Sequence, residues 1–273
     1  MNRPKKTLIM KFGGRSLATS SHFHHIADLI LSQLNNWKHL VVVVSAMGNT
    51  TDALLALARK VSQNPPRREQ DMLISAGERI SMALLAMALA DRGGQVISLT
   101  GSQAGIITSS CHSDAHIIDV RADRVMQSLQ QGYIVIVAGF QGVSYHKEIT
   151  TLGRGGSDTS AVALGVALGA DKVEFYKDVE GIYEDDPKRN PSARLLSLLS
   201  YQEAIERSKH GYFALHHRAI LLASQNHLPL HVLNFRRDKR NDFRGTWICD
   251  KKQERIIPPI YETSDMQEKV VPF

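Results

Sequence analysis

Two stretches of this 273-residue sequence set charged side chains among glycines, where a backbone can close on an anion. In KFGGRS (11–16), Lys11 ends an apolar run and Gly13 and Gly14 follow one residue on. Glycine N–H groups approach a phosphate with no Cβ in the way, and a lysine ammonium offers phosphoryl oxygens a compact charge. In TTLGRGGSDTSAVALGVALGA (150–170), Arg154 and Asp158 are separated by glycines at the head of a helix of small apolar residues. Ser157 and Asp158 are good helix caps, so a capped core helix accounts for them. An anion site that accepts both a phosphate and a substrate accounts for the arginine as well. Singly, each stretch is equally an ordinary turn or cap.

The elements that must position these residues come from the apolar runs. TLIMKF (7–12), LVVVV (40–44), QVISL (95–99), YIVIVAGF (133–140), KVEFY (172–176) and LPLHVL (228–233) do not alternate polar with apolar. Such runs fit strands covered on both faces. Helical patterns fall between them, at roughly 20–34, 51–63, 68–91, 119–131, 158–169, 200–209 and 215–226. The alternation predicts an α/β fold, a mostly parallel sheet between layers of helices. Gly13 and Gly14, then Ser45 and Gly48, then Gly139 and Gly142, then Lys177, Asp178 and Gly181 all lie just past predicted strands. Open parallel sheets bind ligands there, so four such loops imply one shared crevice. Neither GxxxxGK[ST] nor a helix-opening GxGxxG is present, which excludes a P-loop and the dinucleotide fingerprint.

Composition narrows the class further. Hydrophobic content of 43% and charged content of 22% are those of a globular protein. No stretch approaches the roughly 18 consecutive apolar residues of a membrane helix. The basic N-terminus carries too short an apolar run for a signal peptide, so a cytoplasmic location is expected. Cys111 and Cys249 lack metal-ligand spacing and argue against a zinc site or a disulfide framework. The net charge of +6 suits anionic small molecules as well as nucleic acid. The basic run FRRDKRNDFRGTW (235–247) reads as a solvated loop and no nucleic-acid partner is expected. His22, His24, His25, His216 and His217 read as surface or capping groups.

Seven motifs occur in a set order: KFGGRS, VVSAMGNTTD (43–52), SAGERIS (75–81), GFQG (139–142), TTLGRGGSDTSA (150–161), KDVEGIYEDDP (177–187) and SYQEAIERSKHGYFALHHRA (200–219). This pattern closely resembles the aspartate kinases of the amino acid kinase family, over about 6 to 248. The resemblance implies a three-layer α-β-α sandwich of the carbamate kinase-like kind. It implies transfer of the γ-phosphoryl of ATP to the β-carboxylate of L-aspartate, the entry step toward lysine, diaminopimelate, threonine and methionine. Lys11 would neutralise the phosphoryl group in flight with the N–H groups near Gly13 and Gly14, and Asp158 would orient Lys11. Arg154 would hold the α-carboxylate and Glu78 the α-ammonium, with Ser45, Thr51 and Ser157 as polar contacts. The first motif also brings Arg15 and Ser16 to the phosphates. The nucleotide would lie over Lys177, Asp178, Tyr183, Asp186 and Lys188, with Mg²⁺ carried by phosphates and water and no protein metal ligand.

Three positions depart from the family pattern. Arg15 stands where a threonine is usual, Lys177 where the nucleotide loop usually opens with threonine, and Arg194 where a lysine usually reaches the phosphates. Residues 1–250 are expected to form the catalytic domain and 251–273 a short extension with no regulatory ACT domain. No feedback inhibition by lysine or threonine through this chain alone is therefore expected, and the resemblance implies a homodimer. A kinase of another amino acid or carboxylate is the alternative on the same fold. A non-catalytic nucleotide- or amino-acid-binding subunit is disfavoured by the joint presence of Lys11, Glu78, Arg154 and Asp158.

Overall fold

The computed structural model describes residues 6–187, 189–209, 213–236, 245–250 and 258–262. In chain order the strands are β1 (Thr7–Phe12), β2 (His39–Val44), β3 (Val96–Leu99), β4 (Ile106–Thr108), β5 (Ile117–Val120), β6 (Ile134–Ala138) and β7 (Gln141–Ser144). They continue as β8 (Ile149–Thr151), β9 (Lys172–Lys177), β10 (Ile182–Tyr183), β11 (Leu195–Leu196), β12 (Leu198–Leu199), β13 (Leu230–Asn234) and β14 (Thr246–Ile248). The helices are α1 (Ser20–Leu31), α2 (Thr50–Val61), α3 (Arg67–Ile74), α4 (Ala76–Ala90), α5 (Asp123–Gln130), α6 (Gly156–Ala167), α7 (Tyr201–Ser208) and α8 (His217–Gln225).

Eight strands form one sheet in the order β12-β14-β13-β9-β1-β2-β6-β3. All its pairings are parallel except β13 with β14. Alternate side chains enter two separate cores. Ile9, Val41, Val43, Val135, Val137, Val173 and Phe175 pack with residues of α5, α6 and α8. Leu8, Met10, Phe12, Leu40, Val42, Val44, Ile134 and Ile136 pack with residues of α1 and α4 on the other face. This double burial is why the strands read as unbroken apolar runs, and it yields the expected three-layer sandwich.

The helix pattern read over 119–131 is corrected at its start. Residues 117–120 form β5, which pairs with β4 and leaves the helix to begin at Asp123. β5, β4, β7 and β8 make a separate sheet of four short strands, of which β7 follows β6 after two residues. The run Arg67–Ala90 is long and apolar enough to cross a bilayer, with a mean hydropathy of 1.5 in its most apolar window. It comprises α3 and α4, and α4 packs against α1, β3 and β6 as a core helix. Of the basic run 235–247, residues 237–244 lie outside the described residues, as do 251–257 and 263–273 of the C-terminal extension.

Candidate active site

Lys11 is the penultimate residue of the central strand β1 and only 3% exposed. Its neighbours across the sheet are Val43 and Phe175. Its ammonium lies 2.5 Å from Oδ1 of Asp158, in the first turn of α6. Lys177, at the end of β9, donates to the same carboxylate, 3.2 Å from Oδ1 and 3.0 Å from Oδ2. One buried acid thus holds two lysines delivered by adjacent strands. Burial lowers the Lys11 pKa to about 8; Asp158 opposes that shift and the charge of Lys177 adds to it. Burial alone would raise Asp158, but the two ammonium groups hold it well below the usual carboxylate range.

The glycines bring backbone to this cluster. A Cβ on Gly14 would stand 2.8 Å from the Ala46 carbonyl, so only glycine lets the first loop lie against the second. The Gly48 N–H donates to the Gly14 carbonyl and completes the contact. Gly155, ahead of α6, has φ +71° and rests on the His216 ring, so a side chain there would meet both strain and imidazole. Ser45, just past β2, and Ser157 exchange a hydrogen bond of 2.7 Å.

Glu78, in the first turn of α4, is 3% exposed. Its Oε1 accepts from the Ala46 N–H at 2.9 Å, while its buried Oε2 has no hydrogen-bond partner among the described residues. Burial pushes this carboxyl up to about 7, against the pull of the Ala46 N–H and of the Lys11 charge. A buried carboxylate with one free oxygen is poised for a cation or a further donor. Arg154 is exposed in the loop between β8 and α6, and Thr51 is half-buried in the first turn of α2. Ser16 is buried, and its hydroxyl donates to the Gly13 carbonyl at 2.6 Å, so here it stabilises the turn.

Beyond Lys177 opens a cavity of about 550 Å³, lined by Arg15, Lys177, Asp178, Tyr183 and Asp186 among others. Arg15 crosses its mouth to Asp178 at 2.7 Å. Burial would raise Asp178, but Arg15 outweighs it and lowers the carboxyl. Lys188 lies outside the described residues. Arg194 is exposed beside the β10–β11 hairpin and does not line this cavity, so the structure does not bring it to the other cations. Among the described residues no group of three His, Cys, Asp or Glu side chains could hold a metal, and Asp158 is occupied by its lysines. Cys111 and Cys249 are free.

Sequence reasoning missed several contributors. Arg207, Phe213 and Glu184 line the cavity, and Arg207 donates to the Glu184 carbonyl at 3.1 Å. Asp71 is fully buried and accepts from His112, the Ser113 N–H, and the N–H and hydroxyl of Thr151, three residues ahead of Arg154. One signal could have found it. Asp71, Ile74, Ser75 and Glu78 recur at helical spacing on one buried face, where an unpaired acid is costly.

Against this geometry, the family model for the amino acid kinase family matches residues 6–234. The chain belongs to the amino acid kinase family. This kinase-family chain is 45% identical over 244 residues to an aspartokinase of Geobacillus stearothermophilus, covering 89% of its own length and 59% of that relative. It spans little more than half the length of the curated relatives it matches. The aspartate kinase from Synechocystis superposes with a TM-score of 0.79 at 42% identity, over 91% of this chain and 40% of that one. E. coli aspartokinase III in complex with aspartate and ADP superposes with a TM-score of 0.79 at 26% identity, over 90% of this chain and 65% of that one.

Proposed function

We propose that this chain transfers the γ-phosphoryl group of ATP to the β-carboxylate of L-aspartate, giving 4-phospho-L-aspartate and ADP. One observation carries the reading: buried Asp158 joins Lys11, whose charge acts on Glu78, to Lys177, which lines the cavity beyond β9. Similarity to aspartokinases supports the choice of acceptor.

In this reading a β-carboxylate oxygen attacks the γ-phosphorus in line, forming the acyl C–O–P linkage. The bond from that phosphorus to the bridging oxygen breaks, and its electrons leave with ADP. A carboxylate is already a nucleophile, so no general base is needed. The protein supplies position and positive charge. Lys11 meets the transferred group, and Lys177, which also lines the cavity, meets the leaving side. Asp158 holds both ammonium groups at the depth of the strand ends, so they need no reorganisation as charge moves. Glu78 receives the α-ammonium, and Arg154 closes on the α-carboxylate with its planar fork. Mg²⁺ bound to the phosphates would screen their charge.

The test is ATP and Mg²⁺ with a panel of amino acids, any acyl phosphate being trapped with hydroxylamine. Aspartyl hydroxamate is expected. Its absence while another amino acid yields hydroxamate moves the acceptor, and ATP binding with no hydroxamate from any acceptor sinks the kinase reading. The implied homodimer is read in the same way, and sedimentation of the purified chain decides it.

A further inference from the structure

The loop that carries Arg154 has little side-chain bulk of its own. Gly153 and Gly155 flank the arginine, both at positive φ. Its shape must come from outside, and three anchors provide it. Asp71 holds Thr151, the His216 ring lies under Gly155, and Arg218 of α8 donates to the Leu152 carbonyl at 2.5 Å. Arg218 also donates to the Ala115 carbonyl at 2.8 Å and pairs with Asp114 at 3.3 Å.

The remaining face of that guanidinium is taken by the C-terminal segment. Glu262 accepts from Nε of Arg218 at 2.7 Å and from Nη2 at 3.1 Å. It also accepts from the Ile117 N–H, at the start of β5, at 2.6 Å. Its side chain is 9% exposed and that of Arg218 is 18% exposed. Two residues earlier the strap is tied again. The Asn226 amide donates to the Ile260 carbonyl at 2.8 Å and accepts from the Ile260 N–H at 2.9 Å. The C-terminal segment, α8 and the substrate loop thus meet through one bidentate ion pair, a geometry that fixes orientation as well as distance.

We infer that Arg218 and Glu262 are positioning residues for the acceptor amino acid. They touch no substrate; with residues 258–262 docked, they hold the backbone two residues ahead of Arg154. The inference rests on the reading of Arg154 as the α-carboxylate ligand. It makes acceptor affinity depend on the docked strap, while the nucleotide cavity lies on other elements.

The experiment compares Glu262→Gln and Glu262→Ala with the unaltered chain. KM for aspartate is expected to rise about threefold and about tenfold respectively, with KM for ATP moving less than about twofold. Amide hydrogen exchange is expected to quicken at 152–157 in Glu262→Ala. Equal rises in both KM values, an unchanged KM for aspartate, or faster exchange confined to 258–262 would each overturn the inference. If the unaltered chain makes no aspartyl hydroxamate, the proposed reaction fails, and the exchange comparison still decides whether the strap shapes the loop.

Discussion

The proposed transfer centre and the proposed nucleotide cavity are built on opposite plans. At the transfer centre Lys11 and Asp158 are almost wholly buried, set on a strand end and a helix start, and joined before any ligand arrives. At the cavity the lining comes from Arg15, the segment after β9, α7 and the segment ahead of α8, and the Arg15–Asp178 ion pair has 75% of the arginine side chain exposed. A preformed buried charge cluster resists relaxation at the moment of reaction. A pair in solvent is screened and contributes little. Turnover should therefore depend on the first region and nucleotide affinity on the sum of many weak contacts in the second.

The contrast can be broken from its strongest side first. Lys11→Ala should lower kcat by about 10²–10³ with a smaller change in KM for ATP, as expected for a charge used in the transition state. A loss confined to KM would place Lys11 with the nucleotide contacts. Asp158→Asn leaves two ammonium groups without their counter-charge. Breaking a buried pair costs about 3–5 kcal/mol, and the partial exposure of Lys177 sets the lower end as the expectation in urea unfolding. Lys177→Thr, which restores the residue usual in the family, should cost about tenfold in kcat, because Lys11 and Asp158 still pair without it.

The pH profile sharpens the same contrast. In the proposed reaction, binding of the substrate ammonium needs ionised Glu78, whose pKa is about 7, and transfer needs charged Lys11, whose pKa is about 8. The profile of kcat/KM for aspartate should therefore be a narrow bell, with each limb falling about tenfold per pH unit. Glu78→Gln should remove the acid limb. Stability runs the other way. Glu78 is raised from 4.5, so its stabilising contribution is complete below pH 4.5 and is lost as pH rises through about 7. Lys11 is lowered from 10.5, so its contribution is complete above that value and is lost as pH falls through about 8. The smallest effect belongs to the cavity mouth. Arg15→Thr should change the free energy of ATP binding by less than about 1 kcal/mol in calorimetry, and that only at low salt.

The sequence made six of the large sheet's eight strands legible because they read as unbroken apolar runs, while β12 and β14, two and three residues long, left no such run. The four-stranded sheet was not legible. Its strands are three or four residues long, too short to carry a period, and β5 was absorbed into the helix pattern that follows it. Within the site, Lys11 and Asp158 stood out by type and by their glycine neighbours. Lys177 stood out as a departure in the nucleotide loop, but its bond to Asp158 depends on β9 lying beside β1. Asp71 and Arg218 were hidden for another reason. Half of their partner groups are backbone N–H or C=O, which leave no residue type to notice, and the side-chain partners lie about 40 to 100 positions away.

The position of β1 at the middle of the sheet also governs how the molecule comes into being. It is the first strand among the described residues, yet the Lys6 N–H at its edge bonds to Asp171, 165 positions later. Until β9 is synthesised, β1 can pair on one side only, with β2, and Lys11 lacks its neighbouring lysine. Closing a contact of that span is slow, and an apolar strand with an open edge invites pairing with other chains meanwhile. The same central placement that buries Lys11 so fully makes its surroundings wait for a strand far along the chain.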